Sequence, residues 1–183
     1  MSILPVTLYG DKILKKKAKS VQGITPAIEK LVDDMFHTMK NADGMGLAAN
    51  QVGRNKSIFV IDLSPVKGYE NFKPVVFINP RIEFLSEEKV GIEEGCLSVP
   101  GIREEVIRPE GIRIAYEDIN KKENIIEYDE LFARVIQHEY DHLHGLFFTD
   151  RLEEETQKIL KRSLSKIKSR KIETDYPVTE KEK

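Results

Sequence analysis

Between Ser57 and Tyr128 the chain strings together β-prone segments with no helical period between them, and this order constrains the fold more than any other feature. "SIFVIDL" (57–63), "PVVFINP" (74–80), "RIEFLSE" (81–87) and the shorter stretches 104–108, 112–118 and 124–128 are rich in β-branched and aromatic residues. Parallel neighbours need a crossover of a dozen or more residues, usually a helix. Strands that follow one another this closely pair antiparallel, so the expected class is α+β with antiparallel sheets. Asn120-Lys121-Lys122-Glu123 reads as the hairpin turn between the last two strands.

Helices flank this region. Thr25 and Pro26 have the form of an N-cap and a first helical residue. Ile28, Leu31, Val32, Met35, Phe36 and Met39 then recur at i, i+3, i+4 spacing, which predicts an amphipathic helix closed near Asp43-Gly44. The Met35/Met39 stripe belongs to the core and His37 to the surface. From about Glu130 the period is helical again, and a last helix is expected from about Glu153 to Ile172. The tail "TDYPVTEKEK" has little to bury and is expected to be disordered. Residues 1–172 are therefore read as one domain and 173–183 as a tail.

The chain has 183 residues, enough for one domain with a real core. Its formal net charge of −2 gives no global reason to expect nucleic acid or an anionic membrane as partner. Cys96 is the single cysteine, so an intrachain disulfide is excluded, which suits a reducing compartment. The first twenty residues lack the apolar core of a secretory signal, and no stretch approaches 18 apolar residues. A cytoplasmic location is expected.

"QHEYDHLHG" (137–145) carries the chemistry. His138 and His142 are four apart and share one helical face, with Glu139 beside the first. That is H-E-x-x-H: two imidazoles for a metal and a carboxylate to work on water. The plain alternative is a helix with two polar-face histidines. A catalytic site needs a third protein ligand. The longer pattern H-E-x-x-H-x-x-G-x-x-H is followed as far as Gly145, but Phe148 stands where the third histidine should. Asp150 or Glu153–Glu155 could supply a carboxylate, although acids there also suit the start of the next helix. His144 points away from the ligand face. Cys96, in "EEGCLSVPG" (93–101), is the remaining candidate; its plain alternative is a small buried hydrophobe. The surrounding glycines, serine and proline read as an irregular segment between strands, where chemistry is often placed.

"GMGLAANQVG" (44–53) is a run of small residues whose free N–H and C=O groups could pair with an extended peptide. Here three segments together resemble one family, the bacterial peptide deformylases. Gly44-Met45-Gly46-Leu47-Ala48-Ala49-Asn50-Gln51, Glu94-Gly95-Cys96-Leu97-Ser98 and Gln137-His138-Glu139-Tyr140-Asp141-His142 match the family's three motifs in order. The likeness extends from about Tyr9 to about Leu152. Asn50 departs mildly, at a variable position.

The resemblance implies antiparallel sheets packed around a central helix carrying H-E-x-x-H, with an N-terminal and a C-terminal helix. It implies Cys96, His138 and His142 as metal ligands. It implies Fe2+ as the metal, with Ni2+, Co2+ or Zn2+ able to substitute, and removal of the formyl group from formyl-methionyl nascent chains. Glu139 would be the general base. Gln51 and the backbone N–H of Leu97 would stabilise the oxyanion. Gly44, Met45, Gly46, Arg103 and Val135 would meet the substrate, and Glu94 and Asp141 would orient the site or form structural ion pairs. Seven basic residues from Lys158 to Lys171, with no acid among them, make either a solvated helix face or a ribosome contact, the latter implied by ribosome-docking relatives. Two other readings compete: an endopeptidase with a carboxylate third ligand, and a non-enzymatic peptide-binding domain.

Overall fold

The computed structural model describes residues 1–181. Its elements run α1 (Pro26–Asn41), β1 (Gly46–Ala48), β2 (Ile58–Ile61), β3 (Val75–Leu85), β4 (Lys89–Cys96), β5 (Val99–Pro109), β6 (Ile112–Glu117), β7 (Glu123–Tyr128), α2 (Glu130–Leu143) and α3 (Glu154–Lys168). Five strands form one sheet in the order β1-β2-β3-β6-β7, and β4 pairs with β5 in a second. All of these pairings are antiparallel, as the uninterrupted succession of strands requires.

The five-stranded sheet is covered on both faces around β1, β2 and the start of β3, while β7 is largely exposed. Phe59, Ile61 and Phe77 pack with Phe132, Val135 and Ile136 of α2. Ile58, Val60 and Ile78 pack with Val32, Met35 and Met39 of α1. Successive strand residues point to opposite faces, so a strand between two helices reads as a continuous apolar run. That is why the residues of β2 are buried without alternation. A third cluster joins Val99, Ile102 and Val106 of β5 to Phe147, Phe148, and Leu160, Leu164 and Ile167 of α3. Helix α2 also reaches the second sheet, where Arg134 donates to the Val106 and Val90 carbonyls and Gln137 to the Pro109 carbonyl, so it lies between the two sheets.

Several boundaries differ from expectation. The segments 74–80 and 81–87 are one strand, β3, which passes Pro80 by register shifts while Asn79 takes a φ of +50°. Bulges are where a ladder tolerates proline. The stretch 93–101 is not irregular: it is a hairpin, with Leu97-Ser98 as the turn between β4 and β5. Strand β4 escaped notice because Lys89, Gly91, Glu93, Glu94 and Gly95 are poor strand formers. Helix α3 stops at Lys168, and Arg170 turns the chain with a φ of +59°.

The tail is the main correction, since its described residues are docked and not disordered. Val178 bridges Val6, and Tyr176 and Val178 pack on the third cluster. A count of apolar residues misses two side chains that find a ready-made apolar surface. Glu182 and Lys183 lie outside the described residues.

Candidate metal centre and peptide groove

Helix α2 places both histidines. His138 and His142 are one turn apart, with ring centroids separated by 5.0 Å. Cys96 ends β4 on the facing hairpin, and its Sγ lies 3.2 Å from His142 Nε2. One ligand atom from each of Cys96, His138 and His142 lies within 4.8 Å of the other two. Both histidines are buried. Asp150 does not join them; its carboxylate pairs with Lys15 at 2.7 Å and accepts from the Phe147 N–H. His144 is exposed, its ring tilted against Tyr140.

This donor set fits a divalent metal with open coordination positions. His138 Nδ1 lies 2.8 Å from Glu94 Oε2, so Nδ1–H donates and the Nε2 lone pair is left for a ligand bond. Sulfur and two imidazole nitrogens suit Fe, Co, Ni or Zn. Beside them Glu139 is 3% exposed, and its Oε2 has no hydrogen-bond partner. Burial costs free energy for such an oxygen unless something binds there. Burial also pushes the Glu139 carboxyl up to about 7. Burial disfavours the His138 imidazolium, yet interactions with Cys96 and Glu94 carry its pKa well above the ordinary value in the metal-free chain. His142 is held well below that value, first by burial and then by His138.

Glu94 is the hub beneath the site. It accepts Arg108 Nε at 2.6 Å, Arg108 Nη2 at 2.9 Å and Arg134 Nη1 at 2.8 Å, besides His138. Burial alone would raise its pKa, but His138 and Arg108 outweigh that and hold it far below the usual carboxylate range. Asp141 accepts from Arg108 at 2.6 Å and from Arg151. Sequence reasoning missed Arg108 and Arg134. A signal existed: Arg108 shares its strand face with the buried Ile102 and Val106, while Ile107 points outward and is 66% exposed. Arg134 stands one turn before His138.

The other predicted residues line one groove of about 640 Å³: Gly44, Met45, Gly46, Gln51, Leu97, Arg103 and Val135, together with Cys96, His138 and Glu139. Gln51 is oriented by its neighbours. Its Oε1 accepts the Ala48 N–H at 2.8 Å, which aims Nε2 at Ser98 Oγ (3.2 Å) and Cys96 Sγ (3.6 Å). Asn50 is buried and donates through Nδ2 to the His142 carbonyl, tying this turn to α2. Gly46 is required by close approach, because a Cβ there would stand 2.5 Å from Glu139 Oε1. Strand β1 is the edge of its sheet, so its outer N–H and C=O groups face the groove. Arg103 is exposed on the rim, 3.7 Å from Glu93.

Residues 3–158 match the family model for polypeptide deformylases. The chain belongs to the polypeptide deformylase family. It is 44% identical to a peptide deformylase of Prosthecochloris aestuarii over 178 residues, covering 97% of this chain and 95% of the other. A relative from Pelodictyon phaeoclathratiforme is 46% identical over 180 residues, 98% of this chain and 95% of that one. Among solved structures, a plant peptide deformylase superposes with a TM-score of 0.85 at 37% identity, covering 97% of this chain and 96% of that one. The Ehrlichia chaffeensis deformylase in complex with actinonin gives 0.84 at 40% identity, covering 94% and 100%. These deformylases share the α+β architecture described above. No helix among the described residues is long and apolar enough to cross a membrane.

Proposed function

We propose that this deformylase removes the N-terminal formyl group from formyl-methionyl nascent polypeptides in the cytoplasm, releasing formate. The observation that carries the reading is the Cys96, His138 and His142 cluster beside a buried Glu139 whose Oε2 has no partner, with Cys96, His138 and Glu139 lining a groove bordered by an edge strand. Fe2+ held by Cys96, His138 and His142 is the proposed cofactor, with Ni2+, Co2+ or Zn2+ able to replace it. The chemistry such an ion supplies is acidification of a water molecule and polarisation of the formyl oxygen.

The chain's own residues do the rest. The substrate lies extended along β1, pairing with backbone groups of Gly44–Gly46, which suits variable peptide sequences because backbone pairing ignores side chains. Met45 and Val135 receive the methionine side chain, where adaptable apolar surface is useful. Glu139 takes a proton from the attacking water and later delivers it to the leaving amine. The Gln51 Nε2–H and the Leu97 N–H donate to the oxyanion that develops on the formyl oxygen; each such donor is typically worth about 10²–10³ in rate. Arg103 steers the peptide at the rim. Helix α3 offers Lys161, Arg162 and Lys166, exposed on one surface, to ribosomal RNA phosphates.

The test is formate release from a formyl-Met-Ala peptide by protein purified without oxygen and loaded with Fe2+. Release should be rapid, and Glu139→Ala should abolish it while retaining one metal ion per chain. No release from metal-loaded protein would sink the reading.

A further inference from the structure

The C-terminal segment does more than cover apolar surface. Residues 173–176 line the groove wall. Their course is set by Asp11, which is buried and accepts Arg170 Nη2 on both oxygens at 2.7 Å and the Thr179 hydroxyl at 2.9 Å. The Val6 N–H donates to the Pro177 carbonyl at 2.8 Å, and the Thr179 N–H donates to the Val6 carbonyl at 2.9 Å. The opposite edge of the same N-terminal stretch holds the site: Thr7 N–H donates to the Gln51 carbonyl at 2.7 Å and Tyr9 N–H to the Ser98 carbonyl at 2.8 Å. One hydrogen-bonded layer thus runs from the tail through residues 6–9 to the loops bearing Gln51 and Leu97.

Tyr176 adds a direct link. Its hydroxyl donates to the Leu97 carbonyl at 2.8 Å across 79 residues of sequence. The Leu97-Ser98 turn needs such support. The β4–β5 register shifts between Gly95 and Cys96, so the ladder alone does not define the turn. Its two carbonyls are instead held from outside, Ser98 by Tyr9 and Leu97 by Tyr176.

We propose that Tyr176 is a positioning residue for deformylation: through the Leu97 carbonyl it holds the turn that presents the Leu97 N–H and the Cys96 sulfur. The proposal rests on the oxyanion role given to Leu97 above. The hydroxyl's hydrogen bond goes to the turn's backbone, and none joins it to Cys96, His138 or His142 among the described residues. Its effect is geometric, and small misplacements of a catalytic donor are costly in rate.

The experiment compares full-length wild type with Tyr176→Phe, both loaded with Co2+. It reads kcat per bound metal ion, KM for formyl-Met-Ala, and amide hydrogen exchange across residues 96–99. Tyr176→Phe should lower kcat per ion by about tenfold and leave KM within about twofold, the size expected for one lost hydrogen bond. Exchange at the turn should quicken. A merely structural role would lower thermal stability or metal content without changing kcat per ion. A variant that matches an active wild type in kcat per ion, or in turn exchange, overturns the proposal. A wild type that releases no formate is instead the failure of the deformylase reading.

Discussion

Glu94 has two carboxylate oxygens and receives four donors, from Arg108, Arg134 and His138. It orients the His138 imidazole of the candidate metal cluster and also neutralises buried arginines, so the two roles left open by the sequence are one. Breaking a buried ionic network from one side strands charge. Arg108→Met should therefore destabilise the chain by about 3–5 kcal/mol in chemical denaturation, leaving Glu94 and Asp141 under-compensated. A loss below about 1 kcal/mol would mean that water replaces the guanidinium. The Glu94 carboxyl has a depressed folded-state pKa, so its stabilisation is complete above the unfolded value of about 4.3 and is lost as pH falls towards the folded value. Melting temperature should drop with acidification below about pH 5, and Glu94→Gln should flatten that slope. Glu139 is shifted the other way, up to about 7 by burial. A bound cation favours the carboxylate. The acid limb of kcat/KM should accordingly reflect a group at or below about 7, and activity should fall as pH drops through it. A profile flat to pH 4 would remove Glu139 as the base.

At the scale of elements, the hairpin and the end of α2 decide most. Cys96 reaches the histidines because β4 and β5 close through Leu97-Ser98, and Leu97 fits because a Cβ on Gly44 would come within 2.9 Å of its Cδ1. Helix α2 ends at Leu143, and Gly145 follows at a φ of +76° with a hypothetical Cβ only 2.7 Å from the Lys15 carbonyl oxygen. Both the left-handed backbone and the close approach require glycine there. Gly145→Ala should cost about 1–3 kcal/mol, read as a shifted denaturation midpoint with an unchanged slope. Equal stability would show that the Lys15 loop moves aside. Gly46→Ala places its Cβ on Glu139 instead, so it should lower kcat by at least tenfold while leaving the denaturation midpoint nearly unmoved.

Across the whole molecule, α3 and the turn that follows it carry two kinds of basic residue. Arg170 is committed to Asp11, and Lys158 pairs with Glu154 at 3.0 Å. Lys161, Arg162, Lys166, Lys168 and Lys171 are exposed, and no ion pair is assigned to them among the described residues. Contact with RNA phosphates through this face should weaken steeply with salt. Replacing Lys161, Arg162 and Lys166 by Glu should abolish co-sedimentation with ribosomes at low salt and leave formate release from a short peptide unchanged. Binding indifferent to salt or to these changes would return α3 to a solvated face.

Local order and local chemistry were legible in the residues. The succession of strands excluded a parallel sheet, Thr25-Pro26 opened α1, and four-residue spacing placed His138 and His142 on one face. These depend on nearest-neighbour geometry, which the chain carries with it. The residue that completes the candidate metal cluster was different. From spacing alone Cys96 competed with Asp150 and Glu153–Glu155, and only the fold separates them, by closing β4–β5 over α2 and turning Asp150 towards Lys15. The buried Arg108 and Arg134, the hub at Glu94 and the docked tail were likewise decided in three dimensions. A charged side chain is buried only where distant partners converge on it. A short polar tail orders only where a surface already stands for it, and neither condition is written in the residue's own neighbourhood.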